Sequence, residues 1–147
     1  MPNANSTITA ANAVVTLSVA GLFSAPQQLQ GFSADNIYEI GDQVITETLM
    51  GVDGRLSGGF VYNPIQQTFT LQADSASNSL FETWAAQQRS SRDVFIATGV
   101  TVLTSVGTKY NSSRGFLISY PPLPAAAKVL QPRKYVIQWE SVLAVPA

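Results

Sequence analysis

Val44-Ile-Thr-Glu-Thr-Leu-Met50, then Gly51-Val-Asp-Gly-Arg-Leu-Ser-Gly-Gly59, then Phe60-Val-Tyr62 and Gln67-Thr-Phe-Thr-Leu71 is the stretch that decides how the chain is read. The first segment has the β-branched character of a strand, and Phe69 and Leu71 alternate with Thr68 and Thr70 as strand residues do. Together they predict a long hairpin whose tip, Gly51 to Gly59, exceeds the two residues of a tight turn. Long loops in compact domains either serve a function or stay disordered.

Working outward, Ala13 to Ala20 alternates, with Val15, Leu17 and Val19 on one face. Leu22 to Pro26 is expected to end that strand, because proline cannot donate to a ladder. Tyr38 and Ile40 share a face opposite Glu39 before a turn at Gly41-Asp42. Past Leu71 the period changes: Ser79 and Glu82 have capping-box spacing, and Leu80, Phe81, Trp84 and Ala85 form one stripe. The spacing predicts one helix over Asn78 to Ser90, with Arg89 near its negative end.

The β period resumes at Val94, a turn is expected over Gly107 to Arg114, and Arg114 to Tyr120 reads as another strand. Pro121 to Pro132 reads as an extended connection. Lys134 to Val142 closes the domain, with Tyr135, Ile137 and Trp139 on its core face. The expected fold class is mainly β: a β-sandwich or partly closed β-barrel of about eight strands with one flanking helix. Residues 1–12 read as a flexible N-terminal arm and 13–147 as one domain.

The chain has 147 residues, a length that buries about 68 to 70% of the unfolded surface without staples. It contains no cysteine and no histidine, which removes disulfides, thiolate metal sites, cysteine nucleophiles and the commonest general base. Charged residues make up only 12% of the chain and the net charge is −1. The usual share is about 25%, and a near-neutral surface favours association with copies of itself. The pI of about 5.2 argues against a nucleic-acid-binding face, although Lys128, Arg133 and Lys134 cluster beside Tyr135 and Trp139. Nothing in the sequence has the length of a membrane span.

No motif carries catalysis or metal binding. Glu39, Asp42 and Glu47 lack calcium-loop spacing, Ser112 and Ser113 near Lys109 lack any nucleophile motif, and Gly51 to Gly59 is followed by a strand where a phosphate-binding loop needs a helix. No cofactor and no catalytic residue are assigned. Acids are concentrated early (Asp35, Glu39, Asp42, Glu47, Asp53) and bases late (Lys109, Arg114, Lys128, Arg133, Lys134), a division that could guide copies into head-to-tail register.

The valine-rich first strand, Gly31-Phe-Ser-Ala-Asp35, the acid-bearing strand after it, the Gly51-Val-Asp-Gly54 loop, Phe69-Thr-Leu71 leading through Ala-Asp-Ser-Ala-Ser-Asn-Ser-Leu80 into a helix, and a last strand with Trp139-Glu140 form an order of elements over residues 13 to 143. That order resembles the tail tube proteins of contractile-tailed bacteriophages. The resemblance implies a barrel-like subunit in hexameric rings that stack into the hollow inner tail tube for DNA ejection. It also implies tail sheath, tape-measure, baseplate and tail-terminator partners, assembly in the host bacterial cytoplasm, and no membrane. Other readings are a capsid decoration or receptor-binding module, or the inner tube of a phage-like bacterial injection device.

Under the tube reading, strand alternation makes Glu39, Thr68, Thr70, Gln72, Gln138 and Glu140 the candidates to face the lumen. A wall of Thr, Gln and carboxylates would not hold phosphate as Lys or Arg would. The Gln43 to Gly59 segment is expected to bridge to the adjacent ring, Asp53 and Arg55 pairing across the junction while Val52 and Leu56 bury apolar area.

Overall fold

The computed structural model describes residues 13–32, 37–103 and 107–146. The expected N-terminal arm over 1–12, and Asp35 with it, lie outside the described residues. Nine strands and one helix appear in the order β1 (Ala13–Val19), β2 (Phe23–Gln28), β3 (Tyr38–Ile40), β4 (Thr46–Met50), β5 (Leu56–Phe60), β6 (Ile65–Leu71), α1 (Asn78–Ser91), β7 (Ala97–Leu103), β8 (Thr108–Ser119) and β9 (Arg133–Pro146). Seven strands form one antiparallel sheet in the order β2-β1-β7-β8-β9-β6-β3, and among the described residues β4 and β5 pair only with each other. The mainly β class with a single helix is therefore as expected. The sheet curls without closing: the chain leaving β2 crosses to β6, where Phe32 bridges Leu71 and the Gln72 N–H donates to the Gly31 carbonyl at 2.8 Å.

The core lies between the concave face of this sheet and α1. Val15, Leu17 and Val19 of β1, Phe69 and Leu71 of β6, and Tyr135, Ile137 and Trp139 of β9 point into it, and the helix adds Leu80, Phe81, Trp84 and Ala85. Phe81 stacks on Tyr135 with centroids 4.2 Å apart and planes 12° from parallel, locking helix to sheet. The Tyr135 hydroxyl donates to Asn78 Oδ1 at 2.9 Å, so its polar tip is satisfied in the first turn of the same helix. Trp139 lies over two glycines: a Cβ on Gly115 would sit 2.3 Å from its Cε3, and one on Gly99 3.0 Å from its Cη2. The indole N–H donates to Gln67 Oε1 at 2.9 Å.

Four local expectations need correction. Pro26 does not end a strand but lies within β2, which is tolerated because β2 is a sheet edge. The Gly107 to Arg114 segment is mostly strand: β8 begins at Thr108 and carries a bulge where Ala97 pairs with Gly115 but Gly99 with Ser112. Arg114, at φ 52°, takes the left-handed conformation that absorbs the extra residue. The helix cap position is Ser77, not Ser79, and the Ser79 hydroxyl donates to the Ala76 carbonyl at 2.9 Å. The Ser77 hydroxyl accepts the Gln30 N–H at 2.8 Å and makes no cap hydrogen bond, so a distant segment uses it in place of the helix's own amides.

The fourth correction concerns the tip, which is not oversized. β5 starts at Leu56, leaving only Gly51 to Arg55 as the loop. The Gly54 N–H donates to the Gly51 carbonyl at 3.0 Å, and Gly54 at φ 83° supplies the left-handed residue that the turn needs. Gln67 to Leu71 is not the far strand of this hairpin, because it pairs with β9 and β3 in the main sheet.

Two measurements check this packing. Gly115→Ala is expected to lower the unfolding free energy by about 1 to 3 kcal/mol, because the methyl group collides with Trp139. Gly59→Ala, with nothing within 4 Å of its Cβ, should stay within about 0.5 kcal/mol in the same denaturant titration. Burial holds the Tyr135 hydroxyl up at about 12, with Arg133 pulling the other way. A folded value above the unfolded one of about 10 gives stability that is complete below pH ~10 and falls as pH rises toward 12. Tyr135→Phe should flatten that alkaline fall in a series of denaturation midpoints.

Candidate assembly surfaces

Three features lie outside the core: the β4–β5 hairpin, the outer face of β3, β6 and β9, and the two ends of the curled sheet. Every residue of β4 and β5 is exposed. The hairpin is nonetheless firmly rooted: the Val61 N–H donates to the Ile45 carbonyl at 3.0 Å, Asn63 Nδ2 to the Val44 carbonyl at 2.8 Å, and Gln43 Nε2 to the Asn63 carbonyl at 2.7 Å. It displays Leu49, Met50, Val52, Leu56 and Phe60, all more than half exposed, and the Phe60 ring meets Tyr62 edge to face at 4.9 Å. Exposed apolar side chains are thus grouped on one projection held by hydrogen bonds at its base. At its apex Asp53 Oδ1 accepts the Arg55 N–H at 3.1 Å, so this carboxylate shapes the turn while its charge stays in solvent.

The register places Glu39 opposite Thr68, Thr68 opposite Val136, and Gln138 opposite Gln66, all on the face turned away from the core. Glu140 follows on that face and meets Arg114, whose Nε lies 3.8 Å from its carboxylate, with both side chains largely exposed. Two of the six residues singled out in the sequence do not fit. Thr70 is only 4% exposed, and its hydroxyl has no hydrogen-bond partner among the described residues. Gln72 lies beyond the end of β6 and borders a groove at that end of the subunit. The same face carries two cations that sequence reading did not put there: Lys134, paired with Thr70, and Arg114.

The basic cluster read in the sequence is divided by strand alternation. Lys134 is exposed, but Arg133 is 4% exposed and donates to Glu82 at 2.6 Å and to the Pro121 carbonyl at 2.7 Å, with its guanidinium 5.6 Å from the Tyr135 ring. It ties the proline-marked connection to the helix. The signal was present in the sequence, since Arg133 has the same parity as Tyr135, Ile137 and Trp139.

The two ends of the subunit differ. At the end where the hairpin leaves, a cavity of about 390 Å³ opens between Tyr38, Thr101, Leu103, Tyr110 and Val142. Burial, with Tyr110 nearby, raises the Tyr38 hydroxyl above its usual range. At the other end a groove of about 640 Å³ separates the Gln72–Asp74 turn from the turn at Ala126–Leu130. Among the described residues no three His, Cys, Asp or Glu side chains gather as a metal site would need, and no helix is long and apolar enough to cross a membrane.

A chain of the extracellular contractile injection system PVC sheath–tube complex superposes with a TM-score of 0.61 at 14% identity, over 98% of this chain and 95% of that one. A chain of the anti-feeding prophage cap, described as the tube terminating cap, gives 0.58 at 14% identity over 96% and 92%. One from the PVC sheath/tube terminator gives 0.51 at 13% identity over 95% and 96%. At such low identity the likeness is one of fold. A comparison with curated proteins finds no sequence match. The family model described as "Tail fiber protein gp32" matches residues 6–143, so the chain belongs to the tail fiber protein gp32 family, with a fold shared by chains of contractile tube assemblies.

Proposed function

We propose that this chain is a structural, non-catalytic subunit of a tail tube. Copies assemble into rings of six, and the rings stack into the hollow inner tube of a contractile tail through which DNA is ejected. The observation that carries this reading is a pair of features on one chain: a sheet whose edge strands β2 and β3 each pair with a single strand among the described residues, and a rooted apolar hairpin that stands outside that sheet. In a monomer both invite uncontrolled association. A ring supports each edge with the next subunit, and stacking covers the hairpins.

Under this reading Glu39, Thr68, Gln138 and Glu140 line the lumen. Arg114 and Lys134 share that face, so the wall approaches charge balance and would hold passing phosphates weakly. The partners are the sheath outside, the tape-measure protein inside before ejection, and baseplate and tail-terminator proteins at the two ends. Assembly takes place in the host bacterial cytoplasm, and the product is the phage tail. The likeness to injection-system chains supports a second reading, in which the same tube belongs to a phage-like injection device. The family description favours a third, a fibre component at the tail surface.

Electron microscopy of the purified protein separates the tube from the fibre: stacked annuli are expected, whereas rods without a lumen would favour the fibre reading, and dispersed monomers at high concentration would count against both. Replacing Thr46–Phe60 with a short Gly-Ser linker should leave the melting transition in place and abolish long tubes. Tubes of normal length would remove the hairpin from stacking. Glu39→Lys combined with Glu140→Lys should leave rings intact and slow DNA ejection severalfold, and unchanged ejection kinetics would overturn the lumen assignment.

A further inference from the structure

The hairpin and the groove are anchored at opposite ends of one strand. β6 follows the hairpin, starts at Ile65 and ends at Leu71, directly before the Gln72–Asp74 turn that forms one wall of the groove. Its seven residues span roughly 20 Å, so the two features leave from opposite ends of that strand. The other wall is a tight turn held by the Ala126–Leu130 bridge and by the Gln131 N–H donating to the Ala125 carbonyl at 2.7 Å. It presents Val129 at 70% and Leu130 at 56% exposure.

The two surfaces each set apolar groups beside one acid and one base. The hairpin apex is a narrow two-stranded projection carrying Val52 and Leu56 beside one acid, Asp53, and one base, Arg55. The groove is lined by apolar and small side chains beside one base, Lys128, and one acid, Asp74. None of these four charges forms an ion pair within the chain among the described residues. An interface joining one end of a copy to the opposite end of the next is heterologous, the type that repeats along an axis.

We propose that the groove between Gln72–Asp74 and Ala126–Leu130 receives the hairpin apex of a second copy, with Asp53 meeting Lys128 and Arg55 meeting Asp74. This rests on the tube reading and adds the receiving surface to it. Val52 and Leu56 exchange water for Ala127 and Val129, which supplies the apolar part of the contact. Its direction comes from the placement of the two surfaces at opposite ends of β6, and in this docking each of the four charges meets one of opposite sign.

The absence of cysteine makes a direct test clean. Val52→Cys and Ala127→Cys in one chain should, under mild oxidation, give a ladder of covalent dimers, trimers and higher species, while either change alone gives at most dimers. No ladder, or the same dimer from Val52→Cys alone and from the double variant, overturns the proposal. Charge exchange supplies the second arm: Arg55→Glu or Asp74→Arg alone should shorten tubes at least severalfold, and the two together should restore them, with melting temperatures unchanged throughout. Singles that assemble normally, or a double variant as defective as the worse single, also overturn it. A ladder whose particles lack annuli in the microscope would sustain the docking and count against the tube.

Discussion

The fold depends on the fit of the Trp139 indole onto bare backbone. Gly99 and Gly115 leave a flat strip across β7 and β8, and the ring occupies the space that two side chains would otherwise fill. Its N–H must have an acceptor in a region closed to water, and Gln67, itself 3% exposed, supplies one from β6. One residue on β9 therefore ties β6, β7 and β8 together across the concave face. The bulge at Arg114 belongs to the same arrangement, since it brings both Ser112 and Gly115 onto the buried side of β8.

With the concave face filled in this way, a short helix is enough to cover the remainder. Phe81 and Trp84 close the layer over Tyr135 and Phe69, and the two polar groups drawn in with them, the Tyr135 hydroxyl and the Arg133 guanidinium, both reach partners on or beside α1. Burying Arg133 is costly unless its charge is answered, and the Glu82 carboxylate and Pro121 carbonyl answer it. The Pro121 contact also fixes where the following connection emerges, and so where the Ala126–Leu130 turn stands at the end of the subunit.

Under the proposed function, stability and association fall to different parts of the chain. The core makes no use of the β4–β5 hairpin, whose rigidity comes from its own ladder and a neck of three hydrogen bonds. A projection so held loses little conformational freedom on meeting a partner, which makes association less costly than it would be for a mobile loop. The low charge content of the whole chain agrees with a surface that is largely covered in use.

The strand faces of β1, β6 and β9, the helix and its buried stripe were legible in the residue order, because periodicity of two or 3.6 is a local property that burial reads directly. The sequence also carried the order of elements that resembles a tail tube protein. Other features were decided by contacts between distant residues. The glycine-rich run Gly58-Gly59 became strand by pairing with Thr48 and Glu47, where local composition suggests loop. Arg133 and Lys134, adjacent in sequence and alike in charge, were sent to opposite faces. The N-cap position falls at Ser77 and not at Ser79, and the Ser77 hydroxyl accepts the distant Gln30 N–H and makes no cap hydrogen bond. The groove proposed to receive the apolar apex appears only in three dimensions, since the turns that build it are separated by the helix and two strands.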